Sequence, residues 1–557
     1  MPTAQITGLS SGIDWQETVA LMMQIESLPM VQLEQKKDTY QEKLDAWNAI
    51  NTKLLALKSA MEDMDELDEI LSKAASSTDT DIATATADSA AAAGSYSLEI
   101  NSLAQSDIVI HEGFDDENTT AVHNGPGEAT FTYTYAGDTY DVTVSAGSTL
   151  AELAQAINND VNNEEVTATI LNDGSSTSTA YHLVLTGATG EDNTIVVEAS
   201  SNLDNFTNNY DNSQNASDAQ FKVNGYPILP GEWLQSSSNE VTDVISGVTL
   251  NLKSTNAGST INITITEDLD AAKEKIDDFV TAYNEVIALV NLYTKYEADE
   301  ESTSSSSTST ITQPEGTAGP LFGDASVIGI KSDLQAIIAS VIPGLADSNV
   351  YQSVAEVGVE FGSSGLLQVD DSKLTDALEA DFEAVGNLFG FTSSSTSNNL
   401  TYFLSEEETA GGTYTVVANY DASGELTSAT INGNEATIDG SYIIGADGQP
   451  EEGLRIKFTD PGGGAGQTTA DINIGTGTSV QIANRTSFLT DPVDGTIHNA
   501  TEGIQDAMEN LDKQIARWED RLLIKQGQLE ADFLQMELLM GQLQTQGNFV
   551  SAMISGL

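Results

Sequence analysis

Residues 504–553 read IQDAMENLDKQIARWEDRLLIKQGQLEADFLQMELLMGQLQTQGNFVSAM. Apolar residues recur in alternating steps of three and four, which is the spacing of a helical seam in coiled coils. The pattern predicts one seam about 75 Å long, at about 1.5 Å per residue. Gly527, Gly541 and Gly547 each weaken a helix by about 1 kcal/mol, so we expect bends or breaks there. The seam residues are Ile504, Met508, Leu511, Ile515, Trp518, Leu522, Leu529, Met536 and Leu543.

The N-terminal end carries a matching pattern. Asp14 followed by Glu17 is typical of a capping box at a helix start. Pro29 should interrupt that helix and begin a second one. Beyond Pro29, apolar residues recur every seven positions and predict one long apolar face: Leu33, Tyr40, Trp47, Leu54 and Met61.

Two apolar stripes at opposite ends of one chain cannot both face water. The simplest arrangement packs the two helices antiparallel, with remaining apolar surface turned to another subunit. The spacing itself leaves open whether the seam is a coiled coil within the chain or an interface between subunits. In either case the two ends form a stalk, and the stripe residues are our candidate partner-binding residues.

Between the ends the pattern changes from helical to alternating. The fold class expected is multidomain α+β, with a coiled-coil stalk, a helical leg domain and inserted antiparallel β-rich heads. Residues 373–389 are predicted to be one helix, and 301–310 and 391–399 are predicted to be polar, Ser-rich connections. The predicted segments are 1–75 (stalk or leg helices), 76–265 (heads), 266–390 (helical leg), 391–487 (additional β block) and 488–557 (C-terminal helix).

The charge of the chain is strongly one-sided. There are 85 acidic and 20 basic residues, which gives a formal net charge of −65. Such a field repels nucleic acid and anionic membrane surfaces, so neither is an expected partner. No apolar run is long enough to span a bilayer, and the first residues lack the pattern of a cleavable secretory signal. The acidity fits either a saline habitat or a specific partner.

No constellation for catalysis, cofactor binding or metal binding stands out. The chain has no cysteine, and its four histidines, His111, His123, His182 and His498, lack the spacing of metal ligands. We expect them on the surface or in turns. The acidic turn at Asp421 lacks the ligand pattern of a calcium loop and is expected to be an ordinary hairpin turn. The sequence therefore favours a protein that is not an enzyme.

Several motifs resemble the flagellar filament cap family, also called hook-associated protein 2, and occur in that family's order. They are Gly8-Leu-Ser-Ser-Gly-Ile-Asp14, Gly94-Ser-Tyr-Ser-Leu-Glu-Ile-Asn-Ser-Leu-Ala-Gln105, Phe221-Lys-Val-Asn-Gly225, Ser238-Asn-Glu-Val-Thr-Asp-Val-Ile-Ser-Gly-Val-Thr-Leu250, Gly319-Pro-Leu-Phe-Gly-Asp324 and Leu511-Asp-Lys-Gln-Ile515. In addition, residues 148–185, within a segment that we place near 148–197, are similar to the small module shared by flagellins and hook-associated proteins. The additional β block departs from shorter members of the family.

The resemblance implies a structural assembly protein at the distal tip of the flagellar filament. Its subunits would form a ring, promote flagellin insertion and prevent flagellin loss. Implied partners are other copies of the chain, flagellin, the hook-filament junction proteins and a flagellar export chaperone. The implied location is extracellular, reached through flagellar type III secretion. Two other interpretations remain open: a flagellin-like or other hook-associated filament protein, and a surface adhesin that uses its β heads.

Acidic subunits that assemble should do so more readily when salt screens their repulsion. We expect native mass measurements at rising salt concentration to show a monomer–oligomer equilibrium moving toward the oligomer. A mass that is the same at low and high ionic strength would contradict this expectation.

Overall fold

The computed structural model describes residues 14–163, 165–198, 203, 209–298, 316–346, 348–406 and 409–555. Two sequence features, the motif segment 8–13 and the Ser-rich stretch 301–310, lie outside these residues. The helices are α1 Trp15–Glu26, α2 Leu28–Glu62, α3 Leu67–Ile70, α4 Leu150–Asn158, α5 Leu269–Thr294, α6 Ala325–Ala339, α7 Asp371–Ala380, α8 Phe382–Gly386, α9 Thr478–Thr490 and α10 Thr496–Ser555.

The chain divides into two compact units, one of residues 71–272 and one of residues 1–70 with 273–557. Within the described residues of the first unit all strand pairs are antiparallel, as the alternating pattern predicts. The strands of this unit are β1 Lys73–Ser77, β2 Ala83–Ala87, β3 Gly94–Ser102, β4 Ser106–His111, β5 Ala129–Tyr135, β6 Asp138–Val144, β7 Thr167–Asn172, β8 Tyr181–Thr189, β9 Ile195–Val197, β10 Tyr210–Gln214, β11 Ala219–Val223, β12 Leu234–Ser236, β13 Glu240–Ile245, β14 Val248–Leu252 and β15 Ile261–Glu267.

These strands build two hydrophobic cores. One lies between a five-stranded sheet, in the order β1-β15-β3-β11-β12, and a three-stranded sheet, β13-β14-β2. The other contains the sheets β10-β4-β8-β7 and β6-β5-β9 together with α4. The capping box of α4 is reciprocal, because the Thr149 hydroxyl accepts from the Glu152 N–H and the Glu152 carboxylate accepts from the Thr149 N–H. The apolar residues Leu150, Leu153 and Ile157, at the three- and four-residue spacing of a helix face, are buried in this core.

Two of the four histidines lie in a core. His111 and His123 are buried, so the prediction that all four lie on the surface or in turns is wrong for these two. The His111 ring stacks on Phe114 with centroids 4.9 Å apart, and its Nδ1 accepts from the Gly113 N–H at 3.1 Å. An imidazole whose nitrogen bonds the backbone packs like other aromatic rings, and residue type alone does not reveal this.

The second unit combines helices with a further β block. Its strands are β16 Tyr296–Ala298, β17 Gly316–Ala318, β18 Val359–Phe361, β19 Leu367–Val369, β20 Phe391–Ser395, β21 Leu400–Leu404, β22 Gly412–Tyr420, β23 Leu426–Ile431, β24 Asn434–Glu435, β25 Thr437–Asp439, β26 Tyr442–Ile444, β27 Arg455–Phe458 and β28 Gly466–Thr476. A five-stranded sheet, β20-β28-β22-β23-β24, and a four-stranded sheet, β21-β27-β26-β25, enclose the core of the β block.

The pair Asn432-Gly433, a sequence typical of hairpin turns, connects β23 to β24. Both residues have positive φ, 50° and 86°, which is the conformation that a type I′ turn requires. The turn at Asp421 is also a local one, because its carboxylate accepts from the N–H groups of Ser423 and Glu425. These two turns connect strands of the five-stranded sheet or lie at its edge.

The structure differs from the sequence predictions at three boundaries. The predicted helix 373–389 is split at Asp381, whose extended backbone and carboxylate cap begin α8. The predicted Ser-rich connection 391–399 contains β20, because its backbone pairs with β28. The β block ends at Thr476, not near residue 487, since Ile482 and Leu489 belong to the buried face of α9.

The C-terminal helix α10 is continuous over its sixty residues from Thr496, so the breaks expected at Gly527, Gly541 and Gly547 do not occur. Once a helix is formed, each further residue adds a hydrogen bond without a new nucleation step, which tolerates isolated glycines. Among the described residues, no helix combines the length and the apolar character needed to cross a bilayer.

Asp65 lies just past the end of α2, in an acidic segment. Burial, together with the negative charges of Glu69, Glu66 and Glu62, raises the pKa of this carboxyl to about 6. A carboxyl whose pKa is raised by folding contributes its full stabilisation at pH values below its pKa in the unfolded chain, which is near 4, because it is then protonated in both states. That contribution is lost as the pH rises through about 6.

Asp65→Asn should therefore remove a pH dependence between about pH 4 and 6. Above pH 7 we expect the variant to be more stable by about 1 kcal/mol, after allowing for solvent screening, and at pH 4 to match the parent. Thermal unfolding at both pH values measures this, with the exposed neighbour change Asp68→Asn as control. If Asp65→Asn and the parent differ in stability by the same amount at pH 4 and at pH 8, the raised pKa of Asp65 is contradicted.

Candidate partner-binding surface of the terminal helices

The two ends of the chain pack against each other as antiparallel helices. Lys37 Nζ of α2 lies 2.5 Å from Asp512 Oδ1 of α10. The Trp15 ring of α1 stacks on Phe533 of α10, with centroids 6.2 Å apart and planes 13° apart. Residue numbers fall in one partner as they rise in the other, so the predicted antiparallel arrangement is confirmed.

The sequence determines where this pairing begins. The Asp14 carboxylate accepts from the Glu17 N–H at 3.2 Å and caps α1, as predicted. Pro29 lies in the first turn of α2, where its missing N–H removes no helical hydrogen bond. These two local signals place both N-terminal helices in position to lie along α10.

Most of the candidate partner-binding residues lie in this intrachain seam. Four of them are buried within their own chain: Trp47, Leu54, Met61 and Leu511. Their side chains are at most 4% exposed. Without separation of the helices these four are not available to a partner. The half-buried residues of the set are Leu33, Tyr40, Ile504, Met508, Ile515, Trp518, Leu522, Leu529 and Met536.

Leu543 differs from the rest of the set, since it is 62% exposed. On α10 it lies ten residues beyond Phe533, the stacking partner of Trp15 at the start of α1. The seam face thus continues beyond α1 with an apolar side chain turned toward solvent.

A second apolar stripe on α10 was missed by the sequence reasoning. Its residues follow steps of eleven and four, which at about 100° per residue keeps them on one face of the helix. At the same angle this face lies opposite the seam residues Leu522, Leu529 and Met536. We call it the outer stripe; its members are 44–69% exposed and are Leu523, Leu534, Leu538 and Phe549.

A signal for the outer stripe was present in the sequence. In pairs of adjacent apolar residues, such as Leu522-Leu523 and Leu538-Leu539, the two side chains point to different faces of the helix. A single seam uses only one residue of each pair, so the other residue indicates a second apolar face. Apolar residues of α1, Leu21 and Ile25, are also exposed. Several exposed apolar side chains on one helix face indicate a site of protein association.

The terminal helices carry far less net charge than the rest of the chain. α2 has five basic and five acidic residues, and α10 has four basic and nine acidic residues. The Arg521 guanidinium lies 4.7 Å from the centre of the Trp518 ring, and Lys513 pairs with Glu509 at 2.7 Å, as the i,i+4 spacing predicts. A partner can approach this surface against less repulsion than elsewhere on the molecule.

The described residues offer no alternative site with an obvious chemistry. None of their histidine, aspartate and glutamate side chains form a group of three or more that could hold a metal ion. The exposed apolar residues of the terminal helices make these helices the candidate partner-binding surface.

Comparison with known proteins identifies relatives across most of the chain. The profile of the flagellar hook-associated protein 2 C-terminus matches residues 216–545, and that of its N-terminus matches residues 11–107. The flagellin hook IN motif matches residues 130–189, which contain the module predicted at 148–185.

Two curated relatives and one solved structure extend this result. The A-type flagellar hook-associated protein 2 of Pseudomonas aeruginosa is 28% identical over 404 residues, 69% of this chain and 80% of the relative. The hook-associated protein 2 of Escherichia coli K12 is 28% identical over 403 residues, 70% of this chain and 80% of the relative. The flagellar cap protein FliD of Escherichia coli shares the fold, with a TM-score of 0.52 and 23% identity over 83% of this chain and 99% of that one.

The two faces of α10 should respond differently to the same truncation. Leu511→Ala removes a buried seam side chain and should lower the free energy of unfolding by about 2–4 kcal/mol. Leu538→Ala removes a side chain that is 68% exposed and should change it by less than about 0.5 kcal/mol. Urea unfolding of the purified monomers measures both. Equal losses would show that the outer stripe is packed within the chain.

Proposed function

Because this chain belongs to the flagellar hook-associated protein 2 family, whose proteins cap the flagellar filament, we propose that its outer stripe holds the cap on the filament tip. In this proposal the antiparallel seam fixes the shape of the terminal helices, and the outer stripe packs on helical surfaces of neighbouring subunits. The protein is a structural component of the flagellum.

One observation carries the proposal: the outer stripe is apolar, exposed and opposite the seam. Leu523, Leu538 and Phe549 each leave most of their side chain in water. Burying such a side chain in a partner stabilises a complex by roughly 1.5–3 kcal/mol before the losses of association. A few of them together are enough for a specific contact between helices.

The proposed partners are those of a growing filament. They are other copies of this chain in a ring, flagellin, the hook-filament junction proteins and a flagellar export chaperone. The flagellin hook IN motif at 130–189 supports an association with the filament. We further propose that the chain reaches the filament tip through flagellar type III secretion and that there it promotes flagellin insertion and prevents flagellin loss.

The segments predicted from the sequence become functional parts in this proposal. Residues 1–75 and 488–557 supply the helices that grip the filament, residues 266–390 the leg domain, and residues 76–265 and 391–476 the β heads. The seam residues, from Leu33 to Leu543, position the outer stripe, and only those left exposed touch a partner. No catalytic residue is part of the proposal.

A charge placed in the outer stripe should disable the cap without unfolding it. Leu538→Glu inserts a carboxylate into the proposed contact, and burying an unpaired charge costs several kcal/mol. In the source bacterium we expect short filaments and flagellin released into the medium. Filament length by electron microscopy and flagellin in the culture supernatant measure the effect.

Gln528→Glu is the matched control, because it adds the same charge on the exposed flank of α10. This variant should give filaments of normal length. Normal filaments with Leu538→Glu, in cells that export the variant at the parental level, would refute the proposed role of the stripe.

A further inference from the structure

The outward face of the sheet β21-β27-β26-β25 gathers the basic residues of its block. The segment 391–476 contains twelve acidic residues and two basic ones, Arg455 and Lys457, both on β27. Ile456 and Phe458 of the same strand are buried in the core. Since side chains alternate along a strand, Arg455 and Lys457 project together from the opposite face. We call this surface the basic face.

An exposed aromatic pair accompanies the two cations. Phe403 of β21 is 50% exposed, and its ring centroid lies 4.6 Å from that of Tyr442 in β26. The strands β21 and β26 flank β27 on its two sides. Neighbouring strands are about 4.8 Å apart, so the two rings reach each other across β27, on the side that carries the cations.

Pairing between the strands places Lys457 within this group. Thr401 and Tyr442 are its direct partners on the two sides, and directly paired residues project from the same face. Lys457 is exposed and forms no salt bridge within the described part of the chain. Arg455 is partly engaged, because its guanidinium lies 3.6 Å from the Glu406 carboxylate. Lys457 therefore supplies the available positive charge.

Aromatic and Arg side chains are enriched in protein–protein contacts, and an exposed charge such as that of Lys457 attracts a partner of opposite charge. An anionic partner would be attracted here and repelled by most other surfaces of the block. The chain itself provides such a partner, since its residues 71–272 contain 29 acidic and three basic residues. Charge complementarity thus favours a second copy of this chain.

We propose that the basic face binds an acidic surface of a neighbouring copy and helps to hold the subunits of the cap together. This inference rests on the proposed self-association. A basic surface that meets an acidic one elsewhere on the molecule forms a head-to-tail contact, which is the kind that closes rings. The face is built from strands of three to five residues and is smaller than the roughly 800 Å² per partner of a stable interface, so it supplements other contacts.

Two substitutions in the full-length protein test the contact. Lys457→Gln should weaken self-association at least about tenfold in sedimentation equilibrium, at one salt concentration at which the parent self-associates, because it removes the available positive charge while the strand is kept. Thr469→Glu changes the net charge by the same amount on an exposed position of the other sheet and should leave self-association within about twofold of the parent.

A cross-linker identifies the partner. The chain has no cysteine, so Thr401→Cys can be labelled uniquely with benzophenone maleimide and irradiated. We expect covalent dimers in which the label is attached to an acidic segment of a second copy. The Lys457→Gln change in the same chain should reduce their yield.

Other results would overturn the inference. The first is self-association that Lys457→Gln leaves unchanged. The second is a cross-linker that never becomes attached to a second copy. The third is an anionic polysaccharide, such as polygalacturonate, that binds this face in place of protein. Purified protein is used throughout, so the outcome is separate from the filament-length test. If Leu538→Glu abolishes capping while Lys457→Gln has no effect, the capping function stands and this inference fails.

Discussion

The antiparallel packing of α1 and α2 against α10 is the constraint on which the rest of the account depends. It brings the two ends of the chain together along one seam, from the Lys37–Asp512 ion pair to the Trp15–Phe533 stack. Packing of this kind buries one apolar face of a helix. Because α10 carries apolar residues on its opposite face as well, that face is left exposed by the same packing, and within the described part of the chain it is available to a partner. Stability and binding are thus divided between two faces of one helix.

Charge is distributed in a way that supports this division. The chain carries a formal net charge of −65, whereas the five basic and five acidic residues of α2 balance, and α10 has four basic and nine acidic residues. Surfaces that must come close to neighbours are less repulsive than the rest of the molecule. The basic face of the additional β block shows the same separation of charges on a smaller scale. There Lys457 lies beside an aromatic pair, in a segment that contains twelve acidic residues.

Much of this architecture could be predicted from the sequence, because the relevant signals are local or periodic. Asp14, Pro29 and Thr149 mark helix starts through capping chemistry, and Asn432-Gly433 marks a hairpin through its φ angles. The seam residues follow from their spacing. The outer stripe was missed, since attention to a single seam hides the second apolar residue in pairs such as Leu538-Leu539. The burial of His111 and the pairing of β20 depend on residues distant in sequence, which no local pattern contains.

The most direct test of the central claim is the distance between the two ends of the chain in solution. Spin labels on cysteines replacing Lys36 and Lys513, exposed neighbours of the Lys37–Asp512 contact, would measure it in a chain that has no other cysteine. Helix axes about 8–10 Å apart predict a narrow distribution below roughly 25 Å, in the free protein and on filaments alike. A broad distribution beyond about 40 Å would mean that the helices do not pair as described, because each of them is longer than that.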